Sequence, residues 1–207
     1  LDPTLRLHPF HPDDTAPLFA LLEHNRARLR PWLNPYTLPE TYEAARKYTI
    51  ESFFNALGDP MKAFFEYADY FRELGQYFPA THPALEMGIW QNDDLIGMVS
   101  MRWLPDSTTA LEFGYWITEE KEGQGIITQR VEALMNDACA NTDVTRFVIG
   151  CARENTRSRA VPEQLGYRVY VTVPQGEKVG EFAYDRVVYG MKAKDWRMRH
   201  VAPASPL

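Results

Sequence analysis

This chain offers little that points to a membrane, a metal or a nucleic acid. No apolar run approaches the ~20 residues that a helix needs to cross a bilayer. Cysteine is scarce: Cys139 and Cys151 are the only two, and they form neither a C-x-x-C pair nor a metal pattern. Such thiols fit a reduced, cytoplasmic setting, where cysteine packs as a small apolar residue. The five histidines are scattered, with no H-x-x-x-H spacing, so no metal is expected. Positive charge is not in excess, since 22 Lys and Arg stand against 28 Asp and Glu for a net charge of −6. That balance excludes a general nucleic-acid binder, which needs a basic footprint. Repeats and low-complexity stretches are lacking, and no secretory signal is expected.

What is present suits one domain over residues 1–207. A chain of 207 residues, 45% of them hydrophobic, can build a full core without staples. Residues 5–10 alternate apolar and polar and predict a strand. His11-Pro12-Asp13-Asp14 then reads as a helix start, with acidic residues at its positive end. That helix would turn Leu18, Phe19, Leu21 and Leu22 inward. Pro31, Pro35 and Pro39 break the next segment, and a second helix is expected over 40–57. Residues 58–83 read as a helical insertion, with Met61, Phe64, Phe65, Ala68 and Phe71 at helical spacing and Tyr67 and Tyr70 widening the stripe.

From Ala84 the period changes to that of strands. Segments 84–91, 95–103 and 110–118 read as an antiparallel meander. A long helix follows over 125–141, then a strand over 146–151 that lies beside 110–118 across the helical connection. A short helix over 157–165 stops at Gly166. Strands 167–173 and 184–193 close the order, and the tail after Trp196 is expected to fray. The fold class is α/β in the α+β sense: a mixed, mostly antiparallel sheet flanked by helices.

The chemistry centres on Glu122-Gly123-Gln124-Gly125-Ile126-Ile127-Thr128, between a strand and a helix. First-turn amides of a helix have no intrahelical partners and suit an anion such as a phosphate. Glycine also lets a ligand approach the main chain closely.

Four blocks make the chain resemble the GNAT acetyltransferase superfamily, and within it the branch that acetylates N-termini of ribosomal proteins. They are Arg28-Leu-Arg-Pro-Trp-Leu33, Leu111-Glu-Phe-Gly-Tyr-Trp-Ile117, Gly123-Gln-Gly-Ile-Ile-Thr128, and the run from Arg146-Phe-Val-Ile149 through Asn155-Thr-Arg-Ser158 to Leu165-Gly-Tyr167. The resemblance implies two strands that splay to admit pantetheine, with the backbone near Ile117 pairing to it. It implies a loop, 122–128, that holds the pyrophosphate of acetyl-CoA, and Asn155 and Ser158 near the thioester. Three positions depart from the pattern. Glu122 stands where Gln or Arg is usual, Ile127 where a small residue is usual, and Pro162 where many relatives place a catalytic Tyr.

Acetyl transfer from a thioester to an amine needs a free amine, a polarised carbonyl and a protonated leaving thiolate. An α-amino group has a pKa of ~8, so a base helps at neutral pH. Glu112, mid-strand between Leu111 and Phe113, is the expected base, and Ser158 the expected donor to sulfur in place of the missing Tyr. Trp32 and Tyr36 are expected to wall the acceptor pocket. The expected activity is acetyl-CoA-dependent N-acetylation of a primary amine, a protein N-terminus of the ribosomal type, by a monomer or homodimer. Two other readings stay open. The insertion motivates a small acceptor such as an antibiotic or an aminoacyl nucleotide, and the three departures motivate a non-catalytic CoA-binding module.

Overall fold

A computed structural model describes residues 4–35, 37–56, 84–104, 107 and 109–200. The expected insertion at 58–83, its aromatic stripe and Tyr36 lie outside the described residues. Strand β1 (Leu5–Pro9) leads through one 3-10 turn to helix α1 (Thr15–Leu29), and α2 (Tyr42–Ala56) follows. The helix start is capped reciprocally: the Asp14 carboxylate accepts from His11 N at 2.8 Å, and His11 Nδ1 accepts from Asp13 N at 3.2 Å. Strands β2 (Leu85–Gln91), β3 (Asp94–Trp103) and β4 (Ala110–Ile117) form the meander. Helix α3 (Ile126–Asn141), strand β5 (Arg146–Ala152), helix α4 (Thr156–Gln164), strands β6 (Arg168–Val179) and β7 (Phe182–Lys192), and helix α5 (Ala193–His200) complete the order.

The strands make one sheet in the order β1-β2-β3-β4-β5-β7-β6. Side chains alternate across it, so β2, β3 and β4 each feed two cores. Leu111, Phe113, Phe147 and Ile149 lie under Val131, Met135 and Trp196 of α3 and α5. Trp90, Met98 and Trp116 lie under Leu18, Leu22 and Leu29 of α1 and Tyr48 of α2. Each such side chain, when fully buried, contributes about 1.5–3 kcal/mol.

The parallel pair β4–β5 positions the site. It holds register only over Ala110–Phe113 against Arg146–Ile149. Beyond that, β4 stays with β3 to Ile117 while β5 stays with β7 to Ala152. The ladder between them therefore ends halfway, leaving a gap of the kind the resemblance implied.

Two expectations change. Strand β6 does not stop at Val173: after an irregularity at Pro174, Gln175 (φ 50°) and Gly176, it resumes and pairs Glu177 with Tyr184. A proline is tolerated there because β6 is the edge strand, with no ladder beyond it. The tail also does not fray directly after Trp196, since a helix runs on to His200. That helix, α5, is pinned by Trp196, which is 1% exposed and whose Nε1 donates to Asn136 Oδ1 at 2.8 Å.

Candidate active site

A cleft of about 680 Å³ opens where β4 and β5 part. Its floor is Gly114–Ile117 on one side and Gly150–Ala152 on the other. Glu122, Gly123, Gly125, Ile126, Ile127 and Thr128 form one end, and Asn155 and Ser158 lie on the β5 lip.

The loop end is built for an anion. The first intrahelical bond of α3 runs from Gln129 N to Gly125 O at 3.0 Å, and the amides of residues 123–128 reach no backbone acceptor among the described residues. Gly123 (φ 71°) and Gly125 (φ 74°) take left-handed backbone that suits glycine. A Cβ on Gly123 would meet nothing within 4 Å, so the seat is open. Ile127 is buried in the core beneath α3, so its bulk lies within the packing. Gln124 is exposed, stands outside the cleft lining and donates to Glu120 O at 2.8 Å.

The Glu122 carboxylate is held by two cations. One oxygen pairs with Arg28 of α1, and the other lies 2.5 Å from Arg157 of α4. Arg28 also donates to Ile117 O at 2.6 Å and to Asn25 Oδ1 at 2.9 Å, and that same Asn25 oxygen accepts from Glu119 N at 3.2 Å. Helix α1 thus fixes the loop that carries the seat.

At the β5 lip, the Asn155 side chain caps α4 by accepting from Ser158 N at 3.1 Å. Pro162 lies inside that helix and has no N–H to give to the carbonyl of Ser158. The Tyr115 hydroxyl of β4 takes over and donates to Ser158 O at 2.8 Å. Burial pushes the Tyr115 phenol well above its usual range, so it remains a donor. Beside Ser158, burial pushes the Cys151 thiol up to about 11, which keeps it protonated and unreactive at neutral pH.

Glu112 does not sit in an apolar setting. Its neighbours Leu111 and Phe113 point to the α3 side, while its own face is charged. Arg102 donates to Glu112 Oε2 from Nε at 2.9 Å and from NH2 at 2.6 Å, and Arg186 donates to Oε1 at 2.7 Å. Both oxygens are taken, and Glu112 is not among the residues lining the cleft.

Besides Glu122 of the loop, the carboxylate that lines the cleft is Glu177. Burial raises its pKa, and the Glu112 charge adds to the rise, while Arg186 and Arg102 pull the other way. Arg186 NH1 lies 3.2 Å from Glu177 Oε2, yet no donor is aligned on that buried oxygen. The ion pair is a charge contact that leaves a lone pair free. Sequence reading missed Glu177 because it ended the strand at Val173. The signal available was the Pro174-Gln-Gly176 group, which marks a bulge as well as it marks a loop. Trp32 does line the cleft, and its ring lies 5.3 Å from that of Tyr184, the strand partner of Glu177.

A family model, the acetyltransferase (GNAT) domain, matches residues 4–168. The chain belongs to the GNAT acetyltransferase family. It is an acetyl-CoA-dependent N-acetyltransferase. Among its relatives is the ribosomal-protein-serine acetyltransferase of Escherichia coli (strain K12), 29% identical over 184 residues, which are 89% of either chain. Its fold is similar to that of RimL, a ribosomal L7/L12 α-N-protein acetyltransferase solved with coenzyme A (24% identity, TM-score 0.71, covering 92% of this chain and 95% of that one). It is likewise similar to that of the microcin C7 self-immunity acetyltransferase MccE, solved with acetyl-CoA and AMP (17% identity, TM-score 0.72, covering 92% and 93%).

The cleft of this acetyltransferase fits the co-substrate: open amides at one end, parted strand edges along the middle, and a serine and a carboxylate at the other. Among the described residues no group of three His, Cys, Asp or Glu forms a metal site. No helix among them is long and apolar enough to cross a membrane.

Proposed function

We propose that the acceptor is the N-terminal α-amine of a protein, of the ribosomal type, acetylated in the cytoplasm by direct transfer in a ternary complex. The observation that carries this reading is the continuity of one cleft from the bare amides of residues 123–128 to Ser158 and Glu177. The name of the Escherichia coli relative supports the acceptor class.

Acetyl-CoA supplies the activated acyl group when bound. The amides of Gly123 to Thr128 hold its diphosphate, and the parted edges of Gly114–Trp116 and Gly150–Cys151 align its extended arm. Glu177 accepts the proton of the attacking amine as the C–N bond forms. Burial favours this role, because a raised carboxyl pKa lies nearer that of the amine it must deprotonate. Ser158 donates a hydrogen bond to the sulfur as the C–S bond breaks; such bonds strengthen when the acceptor is charged. Trp32 walls the acceptor end, and holding both reactants in line supplies much of the rate. Glu112 supports this group from outside the cleft.

The test is an acetyl-CoA-coupled thiol-release assay across peptides with different free N-termini and across small amines, followed by mass spectrometry. A single acetyl group on the peptide α-amine is the expected product. Turnover confined to small amines or aminoacyl nucleotides would overturn the acceptor class.

A further inference from the structure

Four charged side chains alternate in sign across one face of the sheet. Arg102 on β3 holds Glu112 on β4, Glu112 holds Arg186 on β7, and Arg186 reaches Glu177 on β6. The strand order brings them together from four strands. The Arg186 guanidinium bridges two carboxylates, with NH2 on Glu112 Oε1 at 2.7 Å and NH1 on Glu177 Oε2 at 3.2 Å. It can lie flat on the sheet because residue 150 is glycine: a Cβ there would come within 2.4–2.8 Å of three guanidinium atoms.

Resting on the reading of Glu177 as the base, we propose that Glu112 and Arg186 are positioning residues, which hold the Glu177 carboxylate at the cleft and set how readily it takes a proton. Glu112 divides the cation. Its bond to Arg186 is short and aligned, whereas the Arg186–Glu177 contact is longer and unaligned. Arg186 is therefore largely neutralised by Glu112 and only partly by Glu177. An arginine devoted wholly to Glu177 would make it a poor base, because an opposite charge nearby favours the ionised form. An absent arginine would leave a half-buried carboxylate with no fixed orientation. The charged groups facing Glu177 are Arg186, Glu112 and Arg102, with the protonated Cys151 of β5 nearby, and its strand partner is Tyr184.

The arrangement makes two removals act in opposite directions. In Glu112→Gln, Arg186 turns its full charge on Glu177, so the acid limb of the pH profile moves to lower pH. In Arg186→Gln, Glu177 loses its cation and keeps the Glu112 repulsion, so the limb moves to higher pH. Shifts of about 0.5–1 pH unit are expected for charges at this range. A merely structural role would lower activity in both variants without opposed shifts.

The experiment measures kcat/KM against pH, corrected at each pH for the unprotonated fraction of the acceptor amine, with acetyl-CoA and a serine-initiated peptide, or whichever amine the acceptor screen selects. It compares wild type, Glu177→Gln, Glu112→Gln, Arg186→Gln and Arg186→Lys, each checked for folding by thermal unfolding. Loss of the acid limb in Glu177→Gln is expected, with opposed shifts in the two neutral variants and a limb near wild type in Arg186→Lys. If Glu177→Gln keeps the limb, the base reading fails and the relay with it. If Glu177→Gln loses the limb but the other two variants move it alike or not at all, the relay alone is overturned.

Discussion

Glu86 sits on β2 beneath α2, away from the cleft, and burial raises its carboxyl to about 7 against hydrogen bonds from Ser52 and Tyr48 that lower it. Its folded pKa thus lies above the unfolded value of 4.5. The folded state then binds the proton more tightly, so stability is greatest at acid pH and falls as pH rises through this interval. A gap of about 2.5 units, at about 1.4 kcal/mol per unit, makes the whole loss about 3–4 kcal/mol. Between about pH 5 and about pH 8 the share lost is about 2–3 kcal/mol, since part of the titration lies below the window. Glu86→Gln removes the titration and keeps a polar group for Ser52. Urea unfolding of both proteins at several pH values isolates the effect, because other titrating groups cancel in the difference. The variant is expected to gain about 2–3 kcal/mol relative to wild type across that window, or about 5–10 °C in Tm for a chain of this size. A difference that stays flat to within about 0.5 kcal/mol would refute the reasoning, because no buried carboxyl would then be ionising at a cost.

Two further predictions concern the cleft. Tyr115→Phe strips the Ser158 carbonyl of its donor, which is expected to cost about 1–3 kcal/mol in urea unfolding and to lower kcat. Adding Pro162→Ala supplies a helical N–H to the same carbonyl and should recover part of both losses; no recovery would mean that this bond is not what Tyr115 provides. Gly150→Ala places a methyl where the Arg186 guanidinium lies. The fold should survive, since a flexible side chain can move, while the acid limb shifts in the same direction as in Arg186→Gln. An unmoved limb would show that Arg186 does not need that glycine.

Much of the fold is legible in the chain. Alternation in Leu85–Gln91 and Asp94–Trp103 marked strands with two distinct faces, and the glycines before Ile126 marked a helix start. Local pattern failed where a strand bends. Residues 174–176 carry turn chemistry, so β6 reads as ending before them, yet an edge strand tolerates a bulge and continues. The base candidate was lost with the strand. Glu112 illustrates the opposite limit. Its neighbours in sequence are apolar, but neighbours in sequence point to the other face, and its real surroundings, Arg102 and Arg186, come from two other strands. Pair contacts across strands leave no mark in a single segment.

The doubly held Glu122 has a consequence for how coenzyme arrives. Arg28 and Arg157 are already satisfied by an anion that belongs to the loop itself. An incoming diphosphate meets two cations of which one charge is already offset, so long-range attraction adds less to its rate of encounter than two free arginines would. If it is to claim either arginine, the glutamate must swing away, and entry becomes a swap of one anion for another. Ionic strength, which weakens most recognition of polyphosphates, has correspondingly less to screen.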